Sequence, residues 1–204
     1  MRVWSAAEAR EFLDATSDDR LAFAWALLLT RGLRRGELCG LKWSAVDLVA
    51  GTLRVESTLI TVEGRPVASR PKTSAGRRSI PLDAHLVALL RPHRKRQQTE
   101  QLAVGPAYEH GGYLVADELG HPYHPDTISG WFEARVAETG LPRIRLHDCR
   151  HTAASLMLAS GVPVKVVSEI LGHASPTITL SVYAHVMPGM AESAGAALLA
   201  SLLG

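Results

Sequence analysis

Between Val46 and Pro81 the chain leaves helical periodicity for β-branched alternation, and after Asp83 it returns to helices. This single interlude confines all strands to one short stretch of the chain. Thr52-Leu53-Arg54-Val55 and Thr58-Leu59-Ile60-Thr61-Val62 read as strands, and Glu63-Gly64-Arg65-Pro66 as turn chemistry. Arg78-Ser79-Ile80 reads as a third short strand. The fold class expected is therefore mainly α with a small three-stranded antiparallel β-sheet.

Helix signals surround the interlude. Ser5-Ala6-Ala7-Glu8 is a capping box that predicts a helix from about Ala6 to Ala15. A strongly apolar helix follows Asp18-Asp19 to about Thr30, Gly32 ends it, and a short helix carries Arg35 to Leu41. Later helices are predicted at Asp83–Ala103, Asp126–Glu138, Asp148–Ala159, Pro163–Leu171, Pro176–Ala184 and from Pro188 to the end. Gly140, Gly161 and Gly172 stand where helices stop, and Pro163 and Pro176 where they begin. Pro92 is expected to interrupt and kink the Asp83 helix, because its ring clashes with the preceding turn.

Length and composition narrow the class. The 204 residues suit one domain, 47% are hydrophobic and 21% charged, which excludes a disordered chain. The longest apolar run, Leu21–Leu29, is under half of the ~20 residues a membrane span needs. No signal segment follows Met1 and only two cysteines occur, so a cytoplasmic protein without membrane partner or disulfide frame is expected.

The formal net charge of +2 hides an uneven distribution. From Arg31 to Arg96 there are 14 basic and 5 acidic residues, net +9, while Glu8, Glu11, Asp14, Asp18 and Asp19 crowd the first twenty positions. Such a chain can present a positive face at a small total charge. Arg supplies 18 of the 22 cations, which favours forked binding of anions. The run Arg91–Arg96 reads equally as a solvated helix face or a phosphate contact.

The second half concentrates His and Arg at helix boundaries. His147, Arg150 and His151 share one helical face at i, i+3, i+4, and His173 follows the Gly172 stop. The H-x-x-x-H spacing of His147 and His151 raises zinc. However, Asp148 stands where a zinc hydrolase needs Glu, and Arg150 would put a fixed cation among the ligands. No metal or cofactor is expected. Phosphoryl transfer without metal fits the inventory better, since guanidinium forks match the non-bridging oxygens of a phosphodiester. That chemistry needs two arginines, hydrogen-bonding histidines, a nucleophile and a proton donor. The chain offers Arg34, Arg150, His147, His173, Tyr183 and Lys72. Nearby cations favour the phenolate of a tyrosine nucleophile, whose ordinary pKa is about 10.

T-R-G-L-R-R-G-E-L-C-G-L-K-W (Thr30–Trp43), P-K-T (Pro71–Thr73), H-D-C-R-H (His147–His151), L-G-H (Leu171–His173) and S-V-Y-A-H (Ser181–His185) occur in that order. Together they resemble the signature of the tyrosine recombinases, the phage integrase family, across essentially the whole chain. The resemblance implies a tyrosine recombinase catalytic-domain fold over residues 1–204. It implies that Arg34 and Arg150 clamp a scissile DNA phosphate, with Glu37 supporting the site. Lys72, on the turn between the second and third strands, is the implied general acid for the leaving 5′-hydroxyl. His147 would assist proton movement at the nucleophile, His173 would hydrogen-bond the phosphate, and Tyr183 would form a 3′-phosphotyrosine link. Arg35, Arg77, Arg78 and Arg145 are expected to add DNA phosphate contacts. The expected partner is double-stranded DNA, with a tetramer on DNA for a full-length protein and a monomer for this domain alone.

Two positions depart from the family pattern: Cys149 where Leu is usual, and Ala45 where Asp is common after the Trp. Both read as packing changes. Cys39 and Cys149 are expected to be buried small hydrophobes, and His151 and His185 to pack or hydrogen-bond rather than catalyse. Ser5 opens the first catalytic-domain helix, so N-terminal core-binding and arm-binding domains are expected to be absent, with weak, salt-sensitive DNA binding as the result. The Ala- and Leu-rich tail 188–204 is expected to be a helix resembling the segment that family members pass to a neighbouring protomer. Two other functions share these residues: a non-catalytic DNA-binding relic, and a type IB topoisomerase-like relaxing enzyme.

Overall fold

The computed structural model describes residues 2–71 and 76–183, with the backbone alone for 181–183. Lys72, His185 and the expected tail helix at 188–204 lie outside the described residues.

Helix α1 spans Ala6–Ala15, and its capping box is formed: the Glu8 amide donates to Ser5 Oγ at 3.2 Å and the Ser5 amide to Glu8 Oε2 at 2.7 Å. Its buried face carries Phe12 into an aromatic cluster, 5.1 Å from Trp4 and 5.2 Å from Phe132 between ring centroids. Each such ring contributes roughly 1.5–3 kcal/mol by leaving water. Helix α2, Ala22–Arg31, has no polar face along Phe23–Leu29, and every one of those residues is buried. A helix apolar on all sides must be enclosed, and α2 packs against α1, α6 and α4 at the centre of the main core. It stops at Gly32, whose φ of +61° is the left-handed conformation that glycine tolerates.

Helix α3, Arg35–Cys39, lies directly on a strand. A Cβ at Gly36 would sit 2.7 Å from the Leu59 carbonyl oxygen, and one at Gly40 would sit 2.7 Å from Thr58 Cα. Two glycines one turn apart thus let helix and strand backbones touch.

The expected three-stranded antiparallel sheet is present with different members. Strands β1 (Val46–Asp47), β2 (Thr52–Val55) and β5 (Arg78–Pro81) form it in the order β1-β2-β5. Thr58–Val62, expected there, is β3 of a separate hairpin and pairs with β4, Arg65–Ser69. Glu63 (φ +48°) and Gly64 (φ +75°) make a two-residue turn whose positive-φ backbone matches the right-handed twist of the flanking strands. Read as turn residues, Arg65 and Pro66 instead begin β4, opposite Val62 and Thr61.

Helix α4, Ala84–Val104, runs through Pro92 without ending there. It buries His93, stacked 4.3 Å from Phe23. His93 Nδ1 faces Arg96 Nη2 at 2.8 Å, and its Nε2 faces the Leu114 carbonyl at 2.8 Å. A guanidinium only donates, so Nδ1 accepts and Nε2 carries the proton. Burial, then the charges of Arg96 and Arg20, push this imidazole down to about 4.

Helices α5 (Pro125–Thr139), α6 (Asp148–Ala159), α7 (Val164–Leu171) and α8 (Pro176–Tyr183) complete the described chain. Ala154, Leu158, Val167 and Leu171 form a second small core between α6 and α7. Cys39 and Cys149 are fully buried, free thiols. Among the described residues no helix is long and apolar enough to cross a membrane.

Candidate active site

Three junctions between elements supply the site: the turn from α2 to α3, the start of α6, and the loop from α7 to α8. Arg34 occupies the N-cap position of α3, and Glu37 one turn later accepts its backbone N–H at 2.9 Å. The same carboxylate accepts Arg34 Nη1 at 2.7 Å, while Arg34 Nη2 reaches the Gly172 carbonyl at 3.4 Å. The Arg34 side chain stays 43% exposed, so its guanidinium remains open to an anion.

Arg150 is built differently. It lies on α6, only 4% exposed, and its Nη1 donates to the Gly32 carbonyl at 2.8 Å. The left-handed Gly32 turns that oxygen out of the α2 ladder, so the end of α2 orients the Arg150 guanidinium. His147 occupies the N-cap position of α6 without a side-chain capping bond, its ring 5.3 Å from that of His151 and nearly perpendicular to it. Burial, followed by the Arg150 charge for His147 and by the His147 ring for His151, lowers both imidazoles. Among the described residues no three His, Cys, Asp or Glu side chains group to hold a metal ion.

His173 is placed by a helix stop. Gly172 ends α7 in the left-handed conformation, its amide bonding the Glu169 carbonyl at 3.1 Å and the His173 amide the Ser168 carbonyl at 3.0 Å. The imidazole then meets the buried Thr179 hydroxyl of α8, 2.8 Å from Nδ1. Burial, then the cations Arg150, Arg34 and Arg78 and the ring of His151, push His173 down to about 4. It is neutral at pH 7. The structure therefore brings Arg34, Glu37, His147, Arg150 and His173 together. Lys72 lies outside the described residues, and Tyr183 is described only as the last residue of α8.

The four arginines expected on DNA phosphates separate. Arg77 is exposed. Arg35 bridges α3 to α5 through Asp126 at 2.5 Å and is 42% exposed. Arg145 is 72% exposed and clasps Asp148 at 3.0 Å through Nε and Nη2. Arg78 is in the interior: its side chain is 7% exposed, and both of its Nη atoms bond Glu37 at 3.0 Å. Burial would raise the Glu37 carboxyl, but Arg78 and then Arg34 hold it below its ordinary value. Sequence reasoning missed Thr179, which its spacing of four from Tyr183 could have revealed. It also missed the fixed place of Arg78, for which no local signal exists.

A groove of about 400 Å³ opens beside this cluster between α3 and the β3–β4 hairpin, with Arg34 and Arg70 on its walls. A larger cavity of about 510 Å³ lies elsewhere, beside Trp131 and Arg135. Its cations are already matched, Arg135 by Asp19 and Glu138 and Arg20 by Glu100 and Glu118, so it offers no open cationic site.

Residues 3–189 match the model of the phage integrase family. A tyrosine recombinase XerC-like protein of Caldanaerobacter subterraneus subsp. tengcongensis is 33% identical over 200 residues, which cover 92% of this chain and 51% of that protein. The ICEBs1 integrase of Bacillus subtilis is 27% identical over 190 residues, again 92% of this chain and 51% of that protein. The chain thus spans about half the length of the curated relatives it matches. In fold it is similar to the Tn1549 transposon integrase solved in complex with circular intermediate DNA. The TM-score is 0.78 at 24% identity, covering 97% of this chain and 67% of that one.

Proposed function

The chain belongs to the phage integrase family, and from that premise we propose that it is the strand-cleaving domain of a site-specific recombinase acting on double-stranded DNA. Arg34 and Arg150 grip the non-bridging oxygens of the scissile phosphate, and His173 donates a hydrogen bond to one of them. The Tyr183 phenol oxygen attacks phosphorus, forming a 3′-phosphotyrosine ester as the bond from phosphorus to the 5′-oxygen breaks. Lys72 gives its proton to that leaving oxygen, and neutral His147 takes the phenol proton. The ester conserves the phosphodiester bond energy, so the 5′-hydroxyl of another strand reverses the step without ATP. The guanidinium forks take the place that metal ions hold in other phosphoryl transfer sites.

The observation that carries this reading is the pairing of two differently held arginines around one neutral histidine. Arg150 is locked by Gly32, Arg34 stays half open, and both charges bear on His173. The whole protein is proposed to recombine the DNA of a mobile element as a tetramer, with this domain alone a monomer. The 188–204 tail is proposed as the segment passed between protomers.

A pool of nicked suicide duplexes with randomised cores tests the reading. The expected result is a detergent-stable protein–DNA adduct that Tyr183→Phe abolishes, and sequencing the trapped DNA would define the preferred core. No adduct from the unaltered chain, tested also in place of the matching segment of a full-length relative, would overturn the enzymatic reading. Strand exchange between two marked duplexes separates recombination from topoisomerase-like relaxation.

A further inference from the structure

We propose that Arg78 is a positioning residue of this site: forked onto Glu37 and bonded to the Ile170 carbonyl, it holds Arg34 and His173 in register and keeps the Arg34 charge available to substrate. The proposal rests on the reading of Arg34 and His173 as phosphate ligands.

The geometry is a closed ring. Arg78 Nη1 and Nη2 meet the two Glu37 oxygens at 3.0 Å each, and Nε donates to the Ile170 carbonyl at 2.6 Å. Glu37 in turn holds the Arg34 backbone and guanidinium. Ile170 lies three residues before His173, and the intervening Gly172 carbonyl returns to Arg34. One guanidinium therefore joins the start of α3 to the end of α7, the two segments that present Arg34 and His173. A further bond, from Nη1 to the Gly76 carbonyl at 3.2 Å, ties it to the chain just before its own strand.

Charge makes the second half of the argument. Glu37 is 3% exposed and carries one negative charge between two cations, so the set keeps a net positive charge. The better-buried cation, Arg78, matches the carboxylate, and the half-exposed one, Arg34, faces the groove. Without Arg78, Glu37 would turn on Arg34 alone and neutralise it. A buried carboxylate deprived of its forked partner is costly, so the Glu37–Arg34 pair would also rearrange.

Arg78→Gln and Arg78→Lys test this in the 204-residue chain. Lysine keeps the charge but cannot fork onto Glu37 and reach Ile170 together. Single-turnover adduct formation on the nicked duplex pool is expected to slow about 30-fold or more in Arg78→Gln and about tenfold in Arg78→Lys, with duplex affinity within about threefold of wild type. The His173 imidazole, faced by Arg34, Arg150, Arg78 and His151, is expected to titrate higher by NMR in Arg78→Gln than in Arg78→Lys. A cleavage rate within about threefold of wild type in both variants, with His173 unmoved, would overturn the proposal. So would equal losses of rate and duplex affinity, which would make Arg78 a DNA contact. If Arg78→Gln does not fold, Arg78→Lys is judged by the same two measurements. If the unaltered chain forms no adduct, the recombinase reading fails, while the His173 titration still decides the role of Arg78.

Discussion

His173 Nδ1 lies 2.8 Å from the Thr179 hydroxyl, so the loop histidine is tied to the helix that carries Tyr183. Thr179 stands one turn before Tyr183, and its hydroxyl is the one polar group by which α8 reaches the imidazole among the described contacts. Thr179→Val keeps the volume and removes the hydroxyl. It is expected to slow adduct formation about tenfold, by freeing both the imidazole and the docking of α8. Thr179→Ser should stay within about threefold of wild type. Equal rates for Val and Ser variants would mean that this hydrogen bond does nothing for the site.

Gly32 combines a positive φ with a crowded surround. A Cβ there would lie 2.5 Å from Leu171 Cδ2 and 3.5 Å from Arg150 Cγ. Gly32→Ala is expected to cost about 1–2 kcal/mol for the left-handed backbone, plus the displacement of Leu171. Urea unfolding should register that loss, and adduct formation should fall further than stability alone explains, because Arg150 shifts with Leu171. A variant as stable and active as wild type would refute this account of the α2 terminus.

Acid should weaken the fold above the range where carboxylates titrate. His93 has an ordinary pKa of 6.5 and is pushed to about 4 in the folded chain, so between those values the unfolded state binds more protons. Stability is therefore whole above about pH 6.5 and declines as pH falls through 4, by about 3 kcal/mol from this residue, since each pKa unit is worth about 1.4 kcal/mol. Comparing unfolding of wild type and His93→Gln at pH 7 and pH 4.5 checks the sign. The variant should lose less stability on acidification, and an identical loss would remove His93 from the explanation.

What could be read from sequence was what neighbours decide. The Ser5–Glu8 capping box and the stops at Gly32, Gly140 and Gly172 each depend on a few adjacent residues, and they stand where expected. The β3–β4 hairpin was half visible. Thr58–Val62 has strand composition, but Arg65-Pro66-Val67-Ala68-Ser69 resembles a loop and becomes a strand only by pairing. Arg78 shows the limit. Its partners lie 41 and 92 residues away, and nothing beside it distinguishes a buried fork from a cation on the surface. Cys149 is fully buried, as expected of a small core hydrophobe.

The oxygen that holds Arg150 belongs to the main chain at Gly32, not to a side chain. A side-chain acceptor can be lost by any of many substitutions, whereas a peptide carbonyl persists under all of them. The vulnerability of this bond is thus concentrated in backbone shape at position 32. On the proposed function, variants with altered DNA preference can change much of the surrounding surface while this hold on Arg150 is kept, provided that position 32 stays glycine.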